Sequence, residues 1–239
     1  MDAPPITAEQ RAWFAEELQR AKLDAMKELA YGASHEINNP LANIALRAQT
    51  LLKREDDAEK RKALEAMHRA AMRAHEMISD LMLFAVPPEP QKQRIDLRDV
   101  AATVVDELRP RADEIECRLS TEMPDAPVAA DADPEQMAVA VRALVENSFD
   151  ALGKGGEVAV VASIGDGSAG LSVVDNGPGV PEAIRDKVFD PFFSGREAGR
   201  GLGFGLPKCW RIVTNHGGSV RLENRSGGGV EVTIRLPKA

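Results

Sequence analysis

Between Leu64 and Ala85 the chain places small and apolar residues at alternating steps of three and four: Leu64, Met67, Ala71, Ala74, Ile78, Leu81 and Ala85. A strand alternates its faces with period two and cannot use that spacing, so the segment is expected to be a helix carrying a coiled-coil seam. A second series follows the same rule upstream, through Leu23, Met26, Ala30, Ala33 and Ile37 and on to Leu41, Ile44, Ala48 and Leu51. The polar run Lys53-Arg-Glu-Asp-Asp57 separates the two, which predicts an antiparallel helical hairpin. One hairpin leaves part of its seam uncovered. A homodimer, with two hairpins forming a four-helix bundle, is therefore expected.

Pro87, Pro88 and Pro90 stop this pattern, because proline removes a helix-bonding amide and fixes φ. The expected division is residues 1–88, helical, and 89–239, mixed. In the second part Asp96 to Ile115 and Glu135 to Leu152 read as helices, the latter opened by Asp133-Pro134, and Gly205 to His216 as a third. Glu157 to Ile164, Leu171 to Asp175, Ser219 to Glu223 and Val230 to Leu236 read as strands, rich in Val and Ile and bounded by glycine.

Composition removes several classes of function. With 30 Lys plus Arg against 38 Asp plus Glu, the net charge is −8, so there is no general basic character to hold a nucleic acid, and none is expected as a partner. Cys117 and Cys209 have no paired-ligand spacing, which argues against zinc and against a disulfide framework. No apolar run is long enough to span a membrane, and Met1-Asp-Ala-Pro-Pro lacks the charged start of a signal peptide. A cytoplasmic protein is expected.

Glycines gather in two places: Asp175-Asn-Gly-Pro-Gly179, just after a predicted strand, and Gly199-Arg-Gly-Leu-Gly-Phe-Gly205, opening a predicted helix. Glycine lets backbone approach a ligand closely, and a glycine-rich helix start offers amides to phosphate. No Lys-Ser or Lys-Thr follows, so this is no Walker loop, and Leu206 stands where a dinucleotide fingerprint starting at Gly201 needs glycine.

With Glu146-Asn-Ser-Phe-Asp-Ala151 added, the chain resembles the sensor histidine kinases, whose catalytic domain is shared with gyrase-type ATPases. Five motifs occur in the family's order. Ser34-His-Glu-Ile-Asn-Asn-Pro-Leu41 resembles the H box and Glu146-Asn147 the N box. Asp175 to Gly179 resembles the first glycine box, Phe189-Asp-Pro-Phe-Phe193 the F box and Gly201 to Gly205 the second glycine box. His216-Gly-Gly218 also fits. The resemblance implies a phosphoacceptor hairpin followed by an α+β two-layer sandwich, with a mixed sheet and helices on one face.

It also implies roles. Asp175 would accept a hydrogen bond from the adenine amino group of ATP, with Gly177 and Gly179 letting backbone pass the base. Asn147 would offer oxygen to Mg2+, a hard cation suited to such a ligand. Phe189, Phe193, Gly201, Gly203 and Gly205 would border a mobile lid, with Phe192 among its anchors and Arg196 and Arg200 inside it. Asp150 and Leu206 complete the nominated nucleotide set, although Asp150 stands where the family frequently has Lys.

His35 lies about 200° around the helix from seam residues Ala33 and Ile37, and so is expected to face away from the bundle core. The resemblance makes it the phosphoacceptor, with Glu36 as the acid/base. Asn39, four residues on, shares its face and would orient water to dephosphorylate a response regulator. The receiver domain of such a regulator is the expected protein partner. A separate sensory protein, or a segment outside this chain, would read the signal, since about twenty residues precede the hairpin. Two rival readings remain: an ATPase of gyrase or chaperone type, against which Ala143 replaces the hydrolytic Glu, and a degenerate kinase serving as a receiver-binding scaffold.

Overall fold

The structure, a computed structural model, describes residues 7–165, 167–193 and 203–238, apart from several α1 side chains that include Ala33 and His35. It divides into two compact units, Met1–Pro87 and Pro88–Ala239.

In the first unit α1 runs Ala8–Leu52 and α2 runs Ala58–Ala85. The sequence series begins at Leu23, but the helix starts at Ala8. A capping box sets that start, in which Thr7 Oγ1 accepts from the Gln10 amide at 3.2 Å and the Thr7 amide donates to Gln10 Oε1 at 3.0 Å. Asp57 caps α2 through the Lys60 amide, and Arg61 donates to the Leu52 and Glu55 carbonyls across the turn. Only part of the expected seam is buried between the helices. Of its residues Ala30 and Ala48 of α1 and Ala71, Ile78, Leu81 and Ala85 of α2 are covered, whereas Ile37, Ile44, Leu51 and Met67 stay exposed; Ala45 and Phe84, outside the expected seam, are buried as well.

The second unit holds a two-stranded ribbon, β1 (Gln93–Asp96) with β3 (Ala129–Ala132), and a five-stranded sheet. That sheet is ordered β2 (Arg118–Glu122), β4 (Glu157–Gly165), β5 (Ser168–Asp175), β7 (Val230–Pro237), β6 (Ser219–Asn224), with only β2–β4 parallel. Helices α3 (Leu97–Glu114), α4 (Pro134–Leu152) and α5 (Gly205–Asn215) supply the second layer. The strands β1, β2 and β3 have no counterpart in the sequence reading.

Residues paired directly across a sheet share a face. The register aligns Val160, Val173, Val232 and Leu222 in one row of the core face, and Ala162, Leu171 and Ile234 in the next. The row towards the end of β5 contains Leu119, Val158 and Asp175. The sheet thus places a carboxylate in a slot that its neighbours fill with hydrocarbon.

Candidate functional site

Asp175 is 6% exposed, and a carboxylate so placed needs partners. Oδ1 accepts from the amides of Gly177 at 2.9 Å and Val230 at 3.1 Å, and Oδ2 accepts from the Ser148 hydroxyl at 3.0 Å. Four elements therefore fix one side chain: the end of β5, the turn after it, α4 and the start of β7. A Cβ on Gly229, which has φ +88°, would fall on the Asp175 carbonyl, so only glycine lets the β6–β7 turn close against this residue. The sequence reading nominated Asp175 and Gly177. It assigned no role to Ser148 or Gly229.

Asn224 Nδ2 donates to the Val180 carbonyl at 2.7 Å, and its Oδ1 accepts from the Val180 amide at 2.8 Å. This clip holds the chain leaving Gly179, which has φ +81° and packs over the Asn224 amide. Asn147 is half-buried on α4, next to Ser148. One turn earlier the Ala143 carbonyl lies against Gly205, at the start of α5. Asn147 thus stands between the Asp175 contact and the α5 terminus. Among the described residues no side chain caps that terminus.

Phe193 and Gly203 meet, for a Cβ on Gly203, at φ +68°, would strike the Phe193 backbone. Phe192, itself at φ +64°, sets its ring edge-on to buried Phe204, with centroids 4.8 Å apart. Phe189 is half-buried and Leu206 is buried on α5. Arg196, Arg200 and Gly201 lie outside the described residues. Asp150 is exposed and ion-pairs with Arg111 of α3 at 3.0 Å, a partner shared with Glu146 at 3.3 Å.

His216 is buried and serves the frame of the unit. Its Nε2 accepts from the Asp133 amide at 3.0 Å and its Nδ1 contacts the Ile212 carbonyl at 2.8 Å, so Nδ1 carries the proton. Burial works to raise the Asp133 pKa, but the amides of Gln136, Gln91 and Glu135 outweigh it and hold the carboxylate below its usual range. Burial pushes both thiols upward, Cys209 furthest, which makes them poor nucleophiles. A cavity of about 690 Å³ between β1, α3 and the first half of α4 collects none of the nominated residues.

In the first unit His35 sits within α1 with its side chain outside the description, while Glu36 and Asn39 are exposed. Pro40, inside the helix, withdraws the amide that would otherwise bond the Glu36 carbonyl.

Residues 25–86 match the His Kinase A (phospho-acceptor) domain, and residues 132–239 match the histidine kinase-, DNA gyrase B- and HSP90-like ATPase family. The chain belongs to the sensor histidine kinases. It is 31% identical over 221 residues to the sensor histidine kinase ZraS of Klebsiella oxytoca, covering 92% of this chain and 47% of that protein. To sporulation kinase D of Bacillus subtilis it is 28% identical over 225 residues, covering 92% and 44%. This kinase chain thus spans less than half the length of these relatives. Among solved structures it is similar to full-length ShkA in complex with AMPPNP, with TM-score 0.77 and 25% identity over 89% of this chain and 46% of that one. The complex of the histidine kinase ThkA with the response regulator TrrA matches at TM-score 0.69 and 22% identity, over 98% and 68%. No described helix is long and apolar enough to cross a membrane.

Proposed function

We propose that this chain is the core of an ATP-dependent protein histidine kinase, which phosphorylates His35 and passes the phosphoryl group to an aspartate of a response regulator. The observation that carries the reading is Asp175. A carboxylate has about four acceptor positions; three are taken by Gly177, Val230 and Ser148, which leaves one for the adenine amino group. Guanine presents a carbonyl there and would face the carboxylate unpaired. The bound nucleotide complex of the ShkA relative supports the same ligand.

The Phe193–Gly203 contact brings the two ends of the proposed lid together, and the N-terminus of α5 would receive phosphate oxygens. Mg2+ keeps water and phosphate ligands and takes few from protein; Asn147, half-buried on α4, would supply an oxygen. When bound, the ion would neutralise phosphate charge. Glu36 would take the imidazole proton of His35 as the phosphoryl group arrives, and Asn39, exposed beside it, would orient water when the regulator is dephosphorylated. The reading assigns Asp150 no nucleotide contact, because Arg111 holds it.

Ile37, Ile44 and Leu51 repeat every seven residues and are exposed, which fits an interface with a second hairpin; the active form is a homodimer. A separate sensory protein, or a segment outside this chain, would supply the signal.

Incubation with γ-labelled ATP and Mg2+ tests the reading. Acid-labile, base-stable label is expected on the wild-type chain and absent from His35→Gln, which still binds ATP; Asp175→Asn loses binding. Free phosphate without labelled protein would establish an ATPase instead. Asn39→Ala should slow regulator dephosphorylation while leaving His35 labelling intact.

A further inference from the structure

The turn that carries His35 is tied to α2 by side chains with no part in the chemistry above. His75 Nδ1 lies 3.0 Å from Asn38 Oδ1, and Asn38 Nδ2 donates to Ser34 Oγ at 3.5 Å. With the amide nitrogen turned to Ser34, the carboxamide oxygen faces α2 and can only accept, so His75 donates from Nδ1. Ser34 and Asn38 flank His35, one residue before it and three after. Both ends of its turn are therefore engaged in one chain of hydrogen bonds reaching the other helix.

The surrounding packing explains why such a tie is needed. Among the described residues the fully buried positions of α1 are Ala30, Ala45 and Ala48, and α2 faces them with Ala71 before its larger buried residues begin at Ile78, with Leu41 and Leu64 half-buried. Alanine ridges are shallow, so a slide or rotation of one helix against the other loses little apolar contact. A hydrogen bond has one distance and direction to satisfy, so even at this exposed site it discriminates between registers where alanine does not. A screw displacement of α1 by one residue is a rotation of about 100°, enough to turn the face shared by His35 and Asn39 in another direction.

We propose that His75 is a positioning residue: through Asn38 it fixes the rotation of α1 at the phosphoacceptor turn. The proposal rests on His35 being the phosphoacceptor. In the full-length dimer, His75→Ala and Asn38→Ala should each slow His35 phosphorylation about fivefold, the effect of one lost hydrogen bond, with the KM for ATP unchanged. The double variant should be no slower than either single one, because both break the same tie. His75→Gln keeps an N–H donor and should restore the rate. Unchanged rates, additive losses or a raised KM would overturn the proposal. Amide hydrogen exchange supplies a readout that needs no nucleotide. His75→Ala should speed exchange over Ser34 to Asn39 but not over Ile44 to Leu52, and equal acceleration in both stretches, or none, would also overturn it. A wild-type chain that ATP fails to label would refute the kinase reading, and the exchange experiment would still decide the role of His75.

Discussion

The two units handle apolar surface in opposite ways. The α/β unit fully buries a set of large side chains, Phe149, Leu144, Leu171, Ile212 and Ile234 among them, and leaves few exposed (Ile164 and Phe192), while among the described residues of α1 the hairpin buries alanine and leaves Ile37, Ile44 and Leu51 exposed. Buried apolar area is the main favourable term in folding, so the α/β unit is complete as one copy and the hairpin is not. Ligand chemistry follows the same division. The proposed nucleotide residue Asp175 is pinned inside a finished core, whereas the proposed phosphoacceptor turn lies on the hairpin, where Glu36 and Asn39 are exposed.

The largest expected effect breaks the finished unit alone. Gly229→Val forces a β-branched residue to φ +88° and drives its Cβ onto the Asp175 carbonyl. A loss of about 3 kcal/mol or more is expected, as for other severe backbone and packing conflicts. Calorimetry should show the α/β transition lowered or lost while a separate hairpin transition stays in place. If both move together, the units do not fold independently and the comparison fails.

Next in size is a change to the incomplete unit. Burying one Ile is worth about 1.5–3 kcal/mol, and a symmetric dimer loses two copies at once. Ile44→Glu should therefore convert the dimer to monomer in sedimentation equilibrium at micromolar concentration and remove the concentration dependence of thermal unfolding. ATP affinity should be unchanged, because Asp175 and its partners belong to the other unit. A variant that remains dimeric would place the interface elsewhere.

Legibility divides along the same line. Elements with a strong period were readable. The α2 seam runs without a miss from Leu64 to Ala85, α3 and α4 open at aspartates that do cap them, and four strands show in their Val and Ile runs. What escaped is short or depends on register. β1 and β3 have four residues each, too few to show alternation. The start of α1 depends on the Thr7–Gln10 box instead of an apolar series. Asp175 was readable from its motif, but its support from Ser148, Gly229 and Val230 was not, since strand pairing and helix packing bring those residues together over separations of 27 to 55 positions. Asp150 was nominated from its place beside the N box. Its ion pair with Arg111 of α3, 39 positions away, is a contact that the motif could not reveal.

A smaller, pH-dependent effect is expected from two buried-edge carboxylates of the α/β unit. Arg98 holds the Asp96 carboxyl below its usual range through a side-chain hydrogen bond, with burial opposing, and backbone amides do the same for Asp133. A depressed folded pKa means that the unfolded chain binds protons first as pH falls. The stabilisation is thus complete above the unfolded value near 3.9 and disappears as pH drops through the lower folded values. Urea midpoints for the α/β unit should be flat with respect to these groups between pH 5 and 7, and fall below about pH 4. In Asp96→Asn the slope of that fall should be reduced. An unchanged slope would mean that Arg98 does not bias the protonation of Asp96.

The smallest expected effect separates two aspartates of the same unit. Asp175 is buried and accepts three hydrogen bonds, whereas Asp150 is exposed and paired with Arg111. Surface ion pairs contribute about 0–1 kcal/mol, because water screens the charges and two long side chains lose freedom to hold one geometry. Arg111 also keeps Glu146 as a partner and lies over the Phe149 ring, so losing one carboxylate strands no charge. Asp150→Asn should therefore shift stability by well under about 1 kcal/mol and leave nucleotide affinity as it was, in contrast to the loss of binding in Asp175→Asn. A titration with a fluorescent ATP analogue measures both variants side by side. A large loss of affinity in Asp150→Asn would return that residue to the nucleotide site and show that the Arg111 pair opens when ATP binds.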